Sequence, residues 1–423
     1  MCEKNNSHQE WMGDIPANWD QATIGSMYTL RNEKVSDKDY PPLSVTMKGV
    51  VPQLETAAKT DAHDDRKLVK KGDFAINSRS DRRGSCGISD YDGSVSLINT
   101  ILTPRIEMNP HYYNWLFHSV RFADEFYRWG HGIVDDLWTT RWQEMRNIVV
   151  AVPPLEEQEI ISNALAKVIE HIDALISNQE AQIEQLKRYK ISIITEAVTK
   201  GLNPSAALRE SGIEWIGSIP AHWNLSRKLS YEVKEGISYG IVKLYEPDDF
   251  NGIKVIRCSD VHEGWVDPNN IRTVTKAVSD EYKRTILQGG EVLVNVRGTL
   301  GGCAVAPFDM AGYNIAREVA KISLKGTLYN KFLMYYLLSY SFADYRTRYL
   351  SGSVYIGLNI ELLSSCPIPK PPMEEQQLIC DYLDEKCAKI DDLIEIKQTK
   401  IDKLNDYRKS IIYEYVTGKK EVV

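Results

Sequence analysis

The chain has 423 residues, of which 43% are hydrophobic and 26% charged, and its formal net charge is −7. This length exceeds what one hydrophobic core usually supports, and the composition is that of a folded protein. The negative charge excludes a uniformly basic nucleic-acid binder, so any phosphate-binding surface must be local or shared with a partner. No apolar run reaches the roughly 18 residues of a membrane span and no signal segment is evident, so we expect a cytoplasmic protein without membrane attachment. The seven cysteines include no CxxC pair, which predicts neither a zinc site nor a disulfide framework.

The first half of the chain begins with the segment EWMGDIPANW at residues 10–19. Short β-rich runs follow, such as those at 73–77 and 95–102, and a helical stretch occupies 111–129. These patterns predict a mixed α/β domain that ends near residue 152.

A basic strip lies inside this first domain. Residues 66–83 hold seven basic side chains and two acidic ones. A concentrated basic strip on an acidic body suits phosphate contact and base readout, whereas a solvated surface run would have the same composition. The candidate DNA-binding residues of this domain are Lys48, Arg79, Ser80, Arg82 and Arg83.

The second half opens with a similar segment, EWIGSIPAHW at 214–223, and continues into another mixed α/β region. Its GGEVLVNVR at 289–297 aligns with KGDFAINSR at 71–79, so a turn of glycine and an acid leads each time into a strand that ends at an arginine. Small and polar residues follow both arginines and predict exposed loops. Arginine suits the guanine edge and asparagine the adenine edge. The candidate DNA-binding residues here are Tyr239, Lys243, Arg257, Asn295, Arg297 and Thr299.

Each half closes with a long helix. The segments 153–199 and 371–417 align without a gap at an offset of 218, with 20 identities in 47 positions, and begin PPLEEQ and PPMEEQ. Glutamates in the first turn meet the positive end of the helix dipole, and Gly201 and Gly418 are expected stops. Two unrelated helices, each packed on its own domain, are the alternative.

The apolar positions of both helices step by four and three, which is the coiled-coil period. We expect an antiparallel pair with Gln179 facing Lys397 at its centre, where a polar pair would set the register. The residues expected in this spacer are Ile161, Leu165, Ile172, Leu175, Gln179, Ile183, Leu186, Ile379, Leu383, Ile390, Leu393, Lys397, Ile401 and Leu404.

Catalytic signatures are missing from the sequence. It contains no GxxxxGK[ST] phosphate loop, no NPPF-like or DPPY-like methyltransferase motif and no HExxH, and its histidines show no ligand spacing. We therefore expect no catalytic residue, no metal site and no cofactor bound by this chain.

These features together resemble the specificity (S) subunit of type I restriction–modification systems. The resemblance rests on the EW(M/I)GxIPAxW starts, the PP(L/M)EEQ helix openings, and the repeated helices with DALI/DDLI and LKRY/LNDY in them. It implies an α+β fold with two mixed α/β target-recognition domains, at 1–152 and 202–370. Two long antiparallel coiled-coil helices, at 153–201 and 371–423, would join them with pseudo-two-fold symmetry.

The same resemblance implies a non-catalytic subunit that reads a bipartite sequence in double-stranded DNA, one half-site per domain. Its partners would be two methyltransferase (M) subunits, which hold S-adenosylmethionine, while the recruitment of restriction and translocation (R) subunits stays open. A coiled-coil adaptor whose globular domains bind proteins rather than DNA is the alternative of another class. It would share the helices and the charge.

Overall fold

The structure is a computed structural model that describes residues 10–53, 65–79, 83–132, 138–242, 252–298, 300–350 and 357–422. The chain divides into two compact units. The first unit comprises residues 1–180 and 398–423, and the second comprises 181–397. Each unit therefore contains part of both long helices. None of the helices in the described ranges is long and apolar enough to cross a membrane.

The first half of the chain forms eleven described strands and five helices. The strands are β1 Asp20–Thr23, β2 Tyr28–Arg31, β3 Lys34–Val35, β4 Leu43–Thr46, β5 Gly49–Pro52, β6 Arg66–Val69, β7 Phe74–Asn77, β8 Cys86–Ile88, β9 Gly93–Val95, β10 Asn99–Pro104 and β11 Val149–Val152. The helices are α1 Ile24–Met27, α2 Pro110–His118, α3 Val120–Arg128, α4 Trp142–Met145 and α5 Leu155–Lys200.

The second half repeats this mixture of strands and helices. The strands are β12 Leu208–Glu210, β13 Ser218–Pro220, β14 Asn224–Ser226, β15 Ser238–Tyr239, β16 Ile253–Ile256, β17 Arg272–Val274, β18 Val292–Asn295, β19 Cys303–Val305, β20 Asn314–Ile315, β21 Val319–Ile322 and β22 Ile368–Lys370. The helices are α6 Lys276–Glu281, α7 Asn330–Leu338, α8 Tyr340–Leu350, α9 Ile360–Ser365 and α10 Met373–Val416. The predicted mixture of α and β structure is confirmed.

The two units build their main sheet in the same order. The first has β2-β10-β7-β8 and the second β15-β21-β18-β19, and all pairs in both are antiparallel. A two-stranded ribbon before the long helix also recurs, as β1 with β11 and β14 with β22. The two regions therefore share a framework, by which we mean the four-stranded sheet and the ribbon, although their sequences are only faintly similar.

The predicted turns of glycine and an acid precede the third strand of each sheet. Gly72 and Gly290 have φ of 88° and 89°, which glycine adopts without the strain of a Cβ. Asp73 Oδ2 accepts from the Lys70 N–H at 2.8 Å, and Glu291 Oε1 accepts from the Gln288 N–H at 2.8 Å. The side-chain oxygen closes the turn and starts the buried strand.

Each of the two repeated segments forms one long helix, which lies within the predicted 153–201 or 371–423. Helix α5 has 46 residues and α10 has 44, so each is about 66–69 Å long at 1.5 Å per residue. Both begin immediately after their proline pair. Proline favours the first position of a helix, and here the helix starts one residue after the second proline. Gly201 and Gly418 follow with φ of 74° and 69°, as expected of glycines that end a helix.

The stretches of α5 and α10 inside each unit run antiparallel and are joined by equivalent ion pairs. In the first unit Arg408 Nη1 lies 3.4 Å from Asp173 Oδ1. In the second, Lys190 Nζ lies 2.7 Å from Asp391 Oδ2. The offset of 218 that aligns the two helices converts one pair into the other, so the same contact is made twice.

Two details of the predicted spacer differ in the structure. Lys397 Nζ donates to Gln182 Oε1 at 2.5 Å, one helical turn beyond Gln179, the residue expected to face it. Leu393 was expected in the apolar seam but is 47% exposed. A strict 3.5-residue stripe drifts around a helix of 3.6 residues per turn, so its positions do not all stay on one face. Ile161, Leu165, Ile172, Ile183, Ile379, Leu383, Ile390, Ile401 and Gln179 are buried, while Leu175, Leu186 and Leu404 are half-buried.

The core of each unit uses the beginning of one long helix and the end of the other. Trp19 of the first unit packs in one cluster with Leu165 of α5 and Val416 of α10. Trp223 of the second packs with Leu383 of α10 and Val198 of α5. Each globular region is thus stabilised by both repeated helices.

The repeated glutamates of the helix openings hold the start segment of their own half. Glu157 accepts from Trp19 Nε1 at 2.6 Å and from Asn18 Nδ2 at 2.7 Å. Glu375 lies 2.9 Å from His222 Nε2 at the matching place in the second unit. The EWxGxIPAxW and PPxEEQ motifs therefore recur together because they form one junction.

The glutamine that follows completes this junction. Gln158 Oε1 accepts from the Asn109 N–H at 2.9 Å, and Gln376 Oε1 accepts from the Tyr329 N–H at 2.7 Å. Both glutamines are buried, and their Nε2 groups donate to the carbonyls of Pro153 and Pro371. The glutamine ties the long helix to the segment where α2 or α7 begins.

Candidate nucleic-acid interface

Two loops that begin near an arginine occupy the same place in the two sheets. We call residues 78–85, between β7 and β8, and 296–302, between β18 and β19, the arginine loops. Each is closed at its base, where the Asn77 N–H donates to Ser85 O at 2.9 Å and the Asn295 N–H donates to Gly302 O at 2.8 Å. The segment before the closing ribbon crosses the start of each loop in the same way, through Thr140 N–H to Ser78 O and Leu358 N–H to Val296 O.

The first arginine loop presents basic side chains beside aromatic ones. Arg79 is exposed, and its N–H donates to Asn77 Oδ1 at 3.0 Å. Arg83 forms an ion pair with Asp124, and its guanidinium lies 5.4 Å from the ring centroid of Tyr127. Ser80 and Arg82 lie outside the described residues.

Part of the basic strip belongs to the fold instead of the surface. Arg66 is 6% exposed, and its guanidinium donates to Ser94 Oγ and Ser94 O, both at 2.9 Å. Burial lowers the pKa of Arg66 and of Lys67, whose Nζ donates to Asn99 O at 2.7 Å. The strip is therefore narrower on the surface than its sequence indicates.

The second arginine loop has Arg297 at the position of Arg79. Arg297 is exposed, and its guanidinium lies 5.6 Å from the ring centroid of Tyr239. Both line a cleft of 1310 Å³, which Arg227, Trp215 and Tyr345 also line. Tyr239 is tied to the fold, because its hydroxyl accepts from the Ile360 N–H at 3.0 Å. Lys243 and Thr299 lie outside the described residues.

Two candidates of the second unit have contacts that belong to the fold. Asn295 is 3% exposed, and its Nδ2 donates to Cys258 O at 2.8 Å and Val261 O at 3.1 Å. Arg257 donates through Nη2 to Asp260 Oδ1 at 3.1 Å and through its N–H to Oδ2 at 2.9 Å. Both side chains hold the loop that follows β16, and of the two Asn295 is buried, whereas Arg257 keeps 31% of its side chain exposed.

A feature that the sequence interpretation missed is a short hairpin beside each arginine loop. In the first unit β4 and β5 pair around a turn that carries Met47 and Lys48. In the second, a bridge between Val261 and Val266 closes a turn that carries Trp265. Lys48, a predicted DNA contact, is exposed in the first turn, and its N–H donates to Thr46 Oγ1 at 3.1 Å. The glycines Gly49 and Gly264, with φ of 104° and 96°, were the available signal.

The described part of the chain shows no metal-binding cluster, and two of its cysteines lie on the long helix α10. It holds no group of three or more His, Cys, Asp or Glu side chains placed to bind a metal ion. Cys380 and Cys387 are buried on the packed side of α10, and burial raises their pKa values to about 12 and about 11. Thiols with such pKa values stay protonated and unreactive near neutral pH.

Comparison with known proteins places this arrangement in a family. The family model described as "Type I restriction modification DNA specificity domain" matches residues 16–185 and 237–405. The putative MjaX specificity subunit of Methanocaldococcus jannaschii is 28% identical over 280 residues, which cover 65% of this chain and 60% of that protein. The MjaVIII specificity subunit of the same organism is 26% identical over 317 residues, which cover 72% and 69%. The match thus spans less than two thirds of the MjaX subunit.

A solved structure has a similar fold over nearly the whole length. It comes from work on complex assembly and conformational transition of the type I R-M system. The similarity covers 96% of this chain and 100% of that one, with a TM-score of 0.68 and 16% sequence identity. At this identity the likeness concerns the fold alone.

Proposed function

The chain belongs to the type I restriction modification DNA specificity family, and from this premise we propose that it is a non-catalytic, sequence-specific DNA-recognition subunit. The observation that carries the proposal is an exposed arginine that recurs in both units. Arg79 follows β7 and Arg297 follows β18, which are equivalent strands of the two four-stranded sheets. A guanidinium on a loop reaches either a phosphate or a guanine edge.

The target is bipartite, with one half-site for each globular region. Support comes from the contrast between a repeated framework and diverged loops. The sheets share one strand order, whereas the loops NSRSDRRGS and NVRGTLGG after the aligned asparagines differ in charge and length. Two readers with one framework and different loops recognise two different short sequences.

The repeated helices set the distance between the half-sites. Dimeric DNA readers convert the separation of their reading elements into half-site spacing, and a long rigid helix supplies such a separation within one chain. The equivalent ion pairs Arg408–Asp173 and Lys190–Asp391 support this role because each joins α5 to α10 in the same way within its own unit.

The same helices bind two copies of one partner, the methyltransferase (M) subunit that holds S-adenosylmethionine. The supporting observation is that two exposed apolar positions of α5 recur at the equivalent places of α10. Ile160 and Leu378, 218 residues apart, are 45% and 61% exposed, and Tyr189 and Tyr407 are 59% and 48% exposed. Exposed apolar positions that recur on both helices suit two copies of one partner. Recruitment of restriction and translocation (R) subunits would follow from the assembled complex.

Methylome sequencing tests the proposal. The chain is co-expressed with an M subunit of a type I system, and we expect methylated adenine at one bipartite sequence. Replacing residues 11–152 by the matching region of a relative should change one half of that sequence. An assembly that leaves all DNA unmethylated and footprints no sequence would reject DNA recognition and favour the protein-binding adaptor.

The spacer role has its own test. One heptad added to α5 and one to α10, at matched positions, lengthens each helix by about 10.5 Å and keeps the apolar stripe in phase. The gap between the half-sites should grow by about three base pairs at 3.4 Å per step. An unchanged gap would contradict the spacer while leaving DNA recognition intact.

A further inference from the structure

An exposed apolar side chain stands at the tip of each short hairpin. Met47, between β4 and β5, is 72% exposed, and Trp265, in the turn closed by Val261 and Val266, is 53% exposed. The sequences of the two turns are unrelated, and the hairpins differ in length. Both nevertheless place a large apolar group in solvent at the same point of the framework.

In the first unit the hairpin is held against the strand that leaves the arginine loop. A Cβ built on Gly87 of β8 would lie 2.7 Å from the Cα of Gly49, the residue that ends the turn. The backbones therefore touch, and no side chain separates them. The tip with Met47 and Lys48 is fixed beside the loop of Arg79 and Arg83.

In the second unit hydrogen bonds hold the hairpin in the corresponding place. The Cys303 N–H of β19 donates to His262 O at 3.1 Å, and the Gly264 N–H donates to Cys303 O at 2.8 Å. Asn295 Nδ2, at the end of β18, donates to Val261 O at 3.1 Å. The buried asparagine that was expected to read a base thus positions the hairpin instead.

The chemistry of both tips fits a DNA base step. Proteins that bend DNA place apolar wedges such as Met between base pairs, and Trp offers a face on which any base stacks. Lys48, exposed beside Met47, supplies a charge for the flanking phosphate. Trp265 stacks on His262 with ring centroids 4.4 Å apart, which restrains the indole.

We propose that Met47 and Trp265 are wedge residues, each pressed against a base step next to the half-site that its neighbouring arginine loop reads. Wedging unstacks that step and kinks the duplex, and it makes recognition sensitive to the deformability of bases that no arginine contacts. This inference rests on the proposed DNA recognition and adds a residue and a mode of contact to it.

Binding as a function of salt separates a wedge from a phosphate contact. The full chain in complex with its M subunit is titrated with its target duplex. Met47→Ala and Trp265→Ala should each weaken binding about tenfold with an unchanged salt slope, because neither side chain displaces counterions. Lys48→Ala should instead lower the slope by about one. Tyr91→Ala and Phe308→Ala, exposed apolar residues outside the hairpins and the arginine loops, are the matched controls and should bind as the wild type does.

Fluorescence reports the unstacking directly. A target duplex with 2-aminopurine at successive positions should brighten on binding at one step near each half-site. Met47→Ala should abolish the signal at one half-site and Trp265→Ala at the other, whereas Met47→Leu and Trp265→Phe should retain it. Specific binding without any such signal would overturn the wedge and leave the proposed function standing. Loss of M-subunit binding in the alanine variants would make the tips a protein contact, and a wild-type complex that binds no specific DNA would overturn both proposals.

Discussion

The two units present different chemistry on one framework. Next to the first arginine loop, Asp124 pairs with Arg83, and Tyr127 stacks on Trp138 with ring centroids 5.5 Å apart. At the positions 218 residues later stand Phe342, which is buried, and Tyr345, which contacts Trp215 with ring centroids 5.2 Å apart. At these matched positions the first unit has an ion pair and a stacked tyrosine, whereas the second has a buried phenylalanine and a contact between tyrosine and tryptophan.

This difference shows which positions the framework constrains. The sheet order, the glycine turn and the glutamine junction recur in both units because backbone geometry requires them. The side chains around the loop are free of that requirement, so two units of one origin can recognise different surfaces.

The largest expected difference between the units concerns the aligned asparagines. Asn295→Ala removes two hydrogen bonds to Cys258 O and Val261 O and leaves buried carbonyls unpaired, so it should destabilise the second unit by about 1–3 kcal/mol. Asn77→Ala removes a single acceptor, for the Arg79 N–H, and should cost less. Urea unfolding of the two variants measures both, and equal losses would contradict the distinct role of Asn295.

Arginine substitutions test whether the two loops act alike. Arg79→Ala and Arg297→Ala should each weaken target binding, with a salt slope lower by about one if the guanidinium contacts a phosphate. A guanine contact would instead cost about 1–3 kcal/mol and relax specificity at one base. Titration over a range of salt concentrations, followed by binding selection, distinguishes these outcomes. If neither variant changes target binding, neither arginine contacts DNA.

A smaller effect is expected from Asp124. Asp124→Ala removes the carboxylate that pairs with Arg83, which makes the guanidinium available to DNA. We expect tighter binding by less than about 1 kcal/mol, since an exposed ion pair contributes no more than that. Arg83→Ala should weaken binding, and in the double variant the effect of Asp124→Ala should vanish. If Asp124→Ala still tightens DNA binding when Arg83 is absent, the gain comes from the loss of a negative charge and not from a freed guanidinium.

The smallest effect concerns the equivalent ion pairs of the long helices. Lys190→Ala and Arg408→Ala each break one partly exposed ion pair and should destabilise the protein by about 0.2–1 kcal/mol. Because the pairs are equivalent, the losses should be similar and should shrink at high salt. Unequal, salt-independent losses would show that the two contacts are not energetically equivalent.

Much of the framework could be predicted from the sequence because it depends on local or repeated signals. The apolar stripe, the proline pair and the closing glycine delimit α5 and α10, and the turn of glycine and an acid locates β7 and β18. These signals act within a few residues of each other in the chain. Because the two halves align, each of these signals occurs twice in the chain, and the second copy supports the first.

The roles of individual polar residues could not be predicted in this way. Arg66 and Ser94 are 28 residues apart, and Asn295 reaches a carbonyl 34 residues away. Nothing near either residue in sequence indicates that its partner will be a buried serine or a backbone carbonyl. The exposed seam position Leu393 and the contact of Lys397 with Gln182 likewise depend on how two distant helices pack.

The sequence by itself determined the duplication, the extent of the helices and the place of the arginine loops, because periodicity and repeated motifs encode them locally. Only the tertiary structure decided which basic and amide side chains remain at the surface, and it alone revealed the hairpins with Met47 and Trp265. The physical reason is that burial and hydrogen bonding are settled between segments far apart in the chain, where a single sequence carries no signal of proximity.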